Sequence, residues 1–592
     1  MKKTFLLSCL MLAAMPVMAA YTGHVYVDKN KNGVFDQSEK PLAGIKVSDG
    51  LNVVETAADG SFTLPGHERE RFIFITTPSG YKTFNRHYHK IEKKQSGYDF
   101  GLIPYSGRIR KNGSHRYIHI ADTEIFNTEN HADWVNNVRD YARNEQAAFI
   151  IHTGDICYEK GLKAHIKLMN TENMDCPVFY CIGNHDLVKG KYGEELFESI
   201  YGPVYYSFDA GNVHYVVTPM PGGDHAPGYT SDDVCRWLKN DLAHIRPGTP
   251  VVVFNHDLLT YEDTFIFKSK NAGSINLNEY NLKAWVYGHW HINYMKKQGD
   301  VYSVCTSSLD KGGIDHSTTA FRVMHVDSKG DFTSELRYTY LDKNICIASP
   351  AGVMASGVLP VAVNVYSSVS PVREVLYTCL ADGKPVLKNK RLLQSTDWSW
   401  NGELPLSHKY VGKELTLRVT ARFNNGEIAE AESNFICRTE KAVPLFSADW
   451  DNLSGNAKHS APVSAPLNLP LQLAWTNNVG ANLYMTSPLI HKGKVIVASV
   501  DEDLKGVGHV YALNGKDGTI LWSCPVRNSI KNSIAVDSDI VFAQDAQGFL
   551  YAIDTETGKL CWEKQLPVNG LPALIDGLVA GEGVVYAGTG KG

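Results

Sequence analysis

Five short motifs stand in one order in the middle of the chain: Asp122-Thr123-Glu124, Gly154-Asp155, Gly183-Asn184-His185-Asp186, Asn255-His256 and Gly288-His289-Trp290-His291. Each alone is weak, because an isolated Gly-Asp more often makes a turn and an isolated His more often packs in a core. Together, each just after an apolar, β-rich run, they assemble carboxylates, an amide oxygen and imidazoles. That mixture suits borderline divalent cations such as Mn, Fe and Zn better than ions that want thiolates.

A second ligand pattern lies near the start, in the twelve residues from Asp28 to Glu39. Asp28, Asn30, Asn32 and Asp36 offer side-chain oxygens, Gly33 permits the sharp turn, the Val34 carbonyl can coordinate, and Glu39 can close the site. This is the spacing of a calcium loop. The alternative is a solvated Asn/Gly loop. Its flanks read as strands, so the helical calcium-sensor fold is rejected, and a calcium ion here would be structural. The segment resembles the calcium-stapled β-domains of bacterial surface proteins and the N-terminal domain that often precedes exported phosphoesterases.

Over about residues 116–340 the five motifs resemble the calcineurin-like metallophosphoesterases, which include the purple acid phosphatases. The family order is Asp-x-His, Gly-Asp, Gly-Asn-His-Asp/Glu, His and Gly-His-x-His. By that resemblance Asp122, residue 124, Asp155 and His291 hold one metal, and Asp155, Asn184, His256 and His289 hold the second, with Asp155 bridging. Two cations about 3.5–4 Å apart would clamp a phosphoryl group and acidify a bridging water, so the implied reaction is attack of metal-bound hydroxide on a phosphomonoester or phosphodiester. His185 would protonate the leaving group or stabilise phosphoryl oxygens, with Asp186 fixing its tautomer. Glu124 departs from the family, which has histidine there. It either ligates and makes the first site richer in carboxylate charge, or fails to reach and leaves that site weak. The competing reading is a surface or periplasmic binding protein with a weakened or inactive phosphoesterase domain; intact Asp155, Asn184 and His185 favour the enzyme.

These motifs need elements to position them. Around them, strands at 117–121, 148–153, 178–182, 251–254 and 284–287 alternate with helices at 133–143 and 232–245, which indicates a layered α/β domain with ligands at strand ends. The expected architecture is multidomain, a central α/β four-layer metallophosphoesterase sandwich flanked by β-sandwich domains and a partial β-propeller. Residues 1–20 read as a signal peptide, 21–107 as a β-sandwich with the calcium loop, and 108–345 as the catalytic domain. A further β-domain follows at 346–440, a Ser/Pro/Ala/Asn-rich linker at 441–470, and incomplete propeller repeats at 471–592.

The repeat is explicit: Tyr511-Ala512-Leu513-Asn514 to Trp522 recurs about forty residues later as Tyr551-Ala552-Ile553-Asp554 to Trp562. A period near forty in strand-rich units marks a propeller, and the form resembles quinoprotein-like blades. Trp522 and Trp562 are read as blade-packing residues. A third unit begins near Leu578 and the sequence stops in mid-blade, so the closed funnel that a quinone needs is not expected, nor is the quinone (PQQ). Binding of a protein or glycan partner, or scaffolding, is the expected role.

At 592 residues the chain is too long for one core. A formal net charge of −5 implies neither nucleic-acid binding nor attraction to an anionic membrane. Lys2, Lys3, an apolar run at 5–17 and small residues at Ala19 and Ala20 read as an export signal, because the run falls short of the roughly 20 residues that span a bilayer. A periplasmic or secreted protein with no transmembrane segment is expected. Ten of the eleven cysteines follow Cys9 without CxxC spacing, and Cys379 with Cys437 is one pairing that an oxidising compartment would permit.

Overall fold

In the computed structural model, residues 20–439, 449–460, 473–483, 486–567, 572 and 577–588 are described. The expected signal peptide lies outside them apart from Ala20, as do 441–448 and 461–470 of the expected linker. Strands dominate and helices are few.

The N-terminal unit pairs two sheets, one built on Tyr21–Val27 and Phe100–Pro104, the other on Lys46–Ser48 and Phe72–Ile75. Val25, Val47, Phe62, Ile73, Ile75 and Phe100 fill the space between them. Phe72–Ile75 is an unbroken apolar run because both of its faces are covered: Ile73 and Ile75 point into this core, while Phe72 and Phe74 join the core of the central domain. In the 28–39 loop the acidic groups are engaged locally. Asp28 accepts from the Asn32 and Gly33 N–H groups, Asp36 from the Asn30 and Asn32 amides, and Glu39 from the Lys29 and Asp36 N–H groups.

The central domain is built on two large sheets, with a small two-stranded sheet at Ile266–Lys268 and Ser274–Asn276. The first runs Val178–Tyr180, Phe149–His152, His115–Ile120, Ala320–Val326, Phe332–Tyr338, and the second runs Tyr206–Ala210, Val213–Val217, Val251–Phe254, Leu282–Tyr287, Val301–Cys305, Tyr294–Gln298. Tyr117, Phe149 and Phe179 of the first sheet share one core with Phe208, Tyr215 and Phe254 of the second. Phe179 stacks on Phe208 at 3.7 Å between ring centres. Helix α1 (Ala132–Asn144) buries Trp134, Val135, Val138 and Tyr141, a helical i, i+3, i+4 stripe, on the opposite face of the first sheet against Ile118 and Ile150.

Two further helices, α2 (Tyr158–Leu168) and α3 (Glu195–Tyr201), escaped the sequence reading. Gly161 interrupts the pattern of α2, yet it is needed there, since a Cβ at 161 would lie 2.4 Å from the Ile125 carbonyl oxygen. Helix α3 is seven residues long, too short to show a period. Helix α4 (Ser231–Ala243) starts with a Thr230/Asp233 capping box and sends Trp237 and Leu238 into the core of the second sheet.

Residues from Asn344–Ser349 to Ile428–Arg438 form a second two-sheet unit around Val361, Val363, Leu417, Val419 and Trp400. Cys379 and Cys437 both lie in this core as free thiols, so the pairing considered from sequence is not formed.

The repeats fold as four-stranded antiparallel units, from Leu489–His491 to Ile520–Pro525 and from Ala535–Asp537 to Leu560–Gln565, followed by a two-stranded pair. Trp522 donates from its indole N–H to the Thr555 carbonyl of the next unit at 2.9 Å and is 8% exposed. It covers Gly558, where a Cβ would lie 2.6 Å from the indole. The linker expected at 441–470 needs correction in its described part: Trp450 exchanges both backbone hydrogen bonds with Ile490, and Asn452 pairs with the backbone of Ala580. Backbone and side-chain pairing, invisible in a Ser/Asn-rich composition, ties this stretch to the repeats.

Candidate metal centre

The parallel strands deliver the five motifs to one edge, because each motif lies just past the carboxyl end of its strand: residue 122 after His115–Ile120, 155 after Phe149–His152, 184 after Val178–Tyr180, 256 after Val251–Phe254 and 289 after Leu282–Tyr287. The turns are tight. Asp122, Glu124, Asp155, His289 and His291 all have positive φ, between 43° and 63°, a conformation non-glycine residues adopt mainly where the surroundings enforce it.

Two motif glycines are explained by close approach. A Cβ at Gly183 would stand 2.2 Å from Asp155 Oδ1, and one at Gly288 would stand 2.6 Å from Asp122 Oδ2. Any side chain at either position would displace a carboxylate.

Two groups of ligand atoms result, each within 4.8 Å: Asp122, Asp155 and His291 in one, Asp155, His256 and His289 in the other. Asp155 belongs to both. Asn184 joins the second group, with Oδ1 3.1 Å from His256 Nε2. His256 Nδ1 donates to the Thr153 carbonyl at 2.7 Å, which leaves Nε2 facing Asp155 Oδ2 at 3.1 Å as the ligand nitrogen. Glu124 Oε1 approaches His291 Nε2 at 3.5 Å, so its carboxylate stands beside the first group. Its other oxygen is taken by Lys311 Nζ at 2.9 Å. This lysine was missed in the sequence, where it sits in a Gly-rich loop with nothing to mark it.

The electrostatics suit cations. Burial disfavours a charged His256, yet the Asp155 and Asp122 carboxylates outweigh it and push its pKa up to about 10. Burial likewise raises Asp122 well above the usual carboxylate range, and the neighbouring Asp155 adds to that. Carboxylates this crowded call for positive charge between them. The donor set of carboxylates, one amide oxygen and three imidazoles therefore fits a pair of divalent cations. Cys157, also missed, lies within reach of Glu124 and Asp155. Burial pushes its thiol pKa far up, so it is a poor thiolate ligand.

His185 lies outside both groups and is a third exposed. The expectation that Asp186 sets its tautomer is corrected here. Asp186 is fully buried and accepts the backbone N–H groups of Cys157 at 2.8 Å and Gly183 at 2.9 Å, so it braces the 155–157 loop against the 183–186 loop. Burial, followed by the Asp155 charge, raises its pKa to about 7. The partner of the His185 ring is Asp224, whose Oδ2 meets Nδ1 at 2.9 Å. Burial lowers the His185 pKa and the Asp224 and Asp155 carboxylates raise it, for a net rise. Asp224 was not found in the sequence because it comes from a Gly-rich loop between elements, anchored by its own N–H on the Asn184 carbonyl.

Residues 115–293 match the model of the calcineurin-like phosphoesterases, and residues 29–104 match the model of the N-terminal region of calcineurin-like phosphoesterases. The central domain is a calcineurin-like metallophosphoesterase domain. Residues 472–592 match a repeat model described as outer membrane protein assembly factor BamB. Purple acid phosphatase 13 of Arabidopsis thaliana is 26% identical to this chain over 215 residues, 34% of this chain and 36% of the relative. The chain thus spans about a third of the length of that curated relative. Among solved structures, BamB from Moraxella catarrhalis is 12% identical over 46% of this chain and 74% of its own, with a TM-score of 0.15. A conserved uncharacterized protein from Streptococcus pneumoniae, described as a predicted phosphoesterase, is 10% identical over 38% of this chain and 98% of its own, with a TM-score of 0.18. At such scores neither neighbour assigns a fold or a function to this chain.

Proposed function

We propose that the protein is an exported, metal-dependent phosphoesterase that hydrolyses a phosphomonoester or phosphodiester. The observation that carries this reading is the sharing of Asp155 between two ligand groups, with the His185 backbone N–H bound to that shared carboxylate. Two divalent cations, of the Mn, Fe or Zn class, would supply the charge that draws in phosphoryl oxygens and acidifies a water.

The chain's own residues would do the rest. Asp122, Glu124, Asp155 and His291 would hold one ion, and Asp155, Asn184, His256 and His289 the other. Asp155 has one oxygen fixed by the His185 N–H at 3.0 Å, which limits its freedom to rotate. His185 would hold a proton on Nε2, with Nδ1 against Asp224, and deliver it to the leaving oxygen. Exposed Phe126 and Tyr158 stack on one another, and Tyr158 lies 5.4 Å from the His185 ring, so this side offers an apolar wall to the leaving group. Asp186 would serve by bracing the loops.

Export to the periplasm or outside the cell is supported by the signal-like start of the sequence, and the match to an outer-membrane assembly factor suits that setting. Among the described residues no helix is long and apolar enough to cross a membrane. The repeats would also bind a protein partner, and the 28–39 loop a structural calcium ion.

The test is hydrolysis of chromogenic phosphomonoesters and phosphodiesters by the purified mature protein, with and without added Mn. Metal-dependent turnover that disappears in Asp155→Ala is expected. Turnover of neither class by protein that holds two equivalents of metal would overturn the enzymatic reading in favour of a binding protein.

A further inference from the structure

Two buried polar chains lead from the repeat units into the loops of the metal centre. The first starts at Lys531, which is 1% exposed. Its Nζ donates to Asp315 Oδ2 at 2.6 Å, to Glu502 Oε1 at 2.6 Å and to the Asn293 carbonyl at 2.8 Å. The other Asp315 oxygen accepts the Ser317 N–H and hydroxyl, closing a turn in which the Ile314 N–H donates to the His291 carbonyl at 2.9 Å. Asn293, two residues beyond His291, in turn accepts the Ser307 N–H at 3.1 Å. One lysine of the repeats therefore holds the backbone that leaves His291, directly at Asn293 and through the Asp315 turn at the His291 carbonyl.

The second chain starts at Asp503, which accepts from Arg322 Nη1 at 2.6 Å. Arg322 is fully buried on the Ala320–Val326 strand, and its Nε donates to Thr306 Oγ1 at 3.1 Å. Thr306 Oγ1 lies 2.8 Å from His119 Nδ1, and His119 Nε2 lies 2.8 Å from Thr153 Oγ1. Thr153 is the residue whose carbonyl fixes the tautomer of His256. Because Arg322 can only donate, the Thr306 hydroxyl is left to donate to Nδ1, and a neutral His119 then donates from Nε2, so donation runs in one direction from Arg322 to Thr153, with Asp503 accepting at the other end of the guanidinium.

Charges this deeply buried add little adhesion, since well-packed apolar side chains would hold a domain boundary as well or better. Their demonstrated use is to fix register, because a displaced partner strands a buried charge. Both chains end on metal-ligand loops, the first at His291 and the second at Thr153, next to Asp155 and bonded to the His256 ring, so those are the ligands whose register they fix.

We propose that the repeat domain is a positioning part of the metal centre, with Lys531 holding the loop that carries His291 and Asp503, through Arg322, holding Thr153, which leads into Asp155 and whose carbonyl fixes the His256 ring. This rests on the phosphoesterase reading above. Outer partners of metal ligands commonly change metal affinity 10- to 100-fold.

The experiment is Mn²⁺ titration of the full chain, followed by electron paramagnetic resonance to separate singly from doubly loaded protein, with kcat and KM on a phosphomonoester alongside. Lys531→Met is expected to weaken one of the two ions by about tenfold or more, and Lys531→Arg to restore most of the loss. In a His291→Ala background Lys531→Met should have no further effect, whereas Asp503→Asn should still weaken the remaining ion. Asp397→Asn, which breaks the Lys505 ion pair between the repeats and the neighbouring β-domain, should leave both ions unchanged. If Lys531→Met does not fold, Asp315→Asn breaks the same pair with little change of shape and takes its place. Equal weakening with and without His291, or the same loss from Asp397→Asn, would overturn the proposal by making the effect one of general stability. A wild-type chain that binds no pair of ions would sink the phosphoesterase reading itself, whereas a wild type with two ions and an unaffected Lys531→Met would sink this inference alone.

Discussion

Asp224→Asn isolates the contribution of the carboxylate that faces His185. The bond is single, 2.9 Å long, and both side chains are more than a third exposed. A hydrogen bond to a charged group is worth about 1.5–3 kcal/mol, and solvent on both sides reduces that to about 1 kcal/mol. The expected loss in kcat is therefore about fivefold, since 1.36 kcal/mol corresponds to tenfold. Complete removal of the proton donor in His185→Ala should cost about 10²–10⁴-fold. The loss should fall on substrates whose leaving oxygen needs a proton, so the assay compares an alkyl phosphate with a nitrophenyl phosphate at saturating metal. Asp224→Asn should slow the first and spare the second. Asp186→Asn should behave differently, lowering the thermal midpoint because an amide can accept only one of the two backbone N–H groups now bound. Full alkyl phosphatase activity in Asp224→Asn, together with a leaving-group effect in Asp186→Asn, would refute the assignment and return the orienting role to Asp186.

Other expectations are equally specific. Lys311→Met removes a half-exposed cation from beside Glu124 and should tighten Mn²⁺ binding by no more than about fivefold, a difference that vanishes at 1 M salt; titration at two ionic strengths checks it. His214 is buried between Asp209 and Asp241, and although burial lowers its pKa, these carboxylates push it up to about 9. A raised folded pKa means its stabilisation is fully present below the unfolded value near 6.5 and is lost as pH rises to about 9. That shift is worth about 3 kcal/mol, so thermal midpoints should fall across this window in the wild type and fall less in His214→Gln. Calcium at about 100 times its dissociation constant should stabilise the folded chain by about 2.7 kcal/mol if the 28–39 loop binds it, and Asp28→Ala should abolish the rise in thermal midpoint; a flat calcium titration would remove that role from the loop.

The ligands were legible in the sequence because strand ends impose an order and because glycines must stand where carboxylates press against the backbone, as at Gly183 and Gly288. Their partners were not legible. Asp224, Lys311 and Lys531 come from loops or from another domain, and only folding brings Lys531 to Asp315, 216 positions earlier in the chain. Adjacency misled in the case of Asp186: a residue next to His185 on a tight turn points its side chain away, and the buried N–H groups of Gly183 and Cys157 claim it. The repeats announced themselves through Trp522 and Gly558, but the docking of 449–460 on them rests on backbone pairing at Trp450, which composition does not encode.

Glu124 is where these lines meet. A carboxylate ligand in place of the histidine that the resemblance implies would add negative charge to the first site, but Lys311 on its outer oxygen makes the pair neutral, as an imidazole is. Lys311 belongs to the same stretch, between Thr306 and Ser317, that Asp315 and Lys531 fasten to the repeats. Its N–H is bound to the Ser308 hydroxyl, and the N–H of Gly312 to the Ser308 carbonyl, so the segment is a closed turn that cannot shift Lys311 without shifting the support of His291. The departure at residue 124 and the buried boundary with the repeats are thus two parts of one arrangement. The segment that compensates Glu124 is the segment that the repeat domain holds in place.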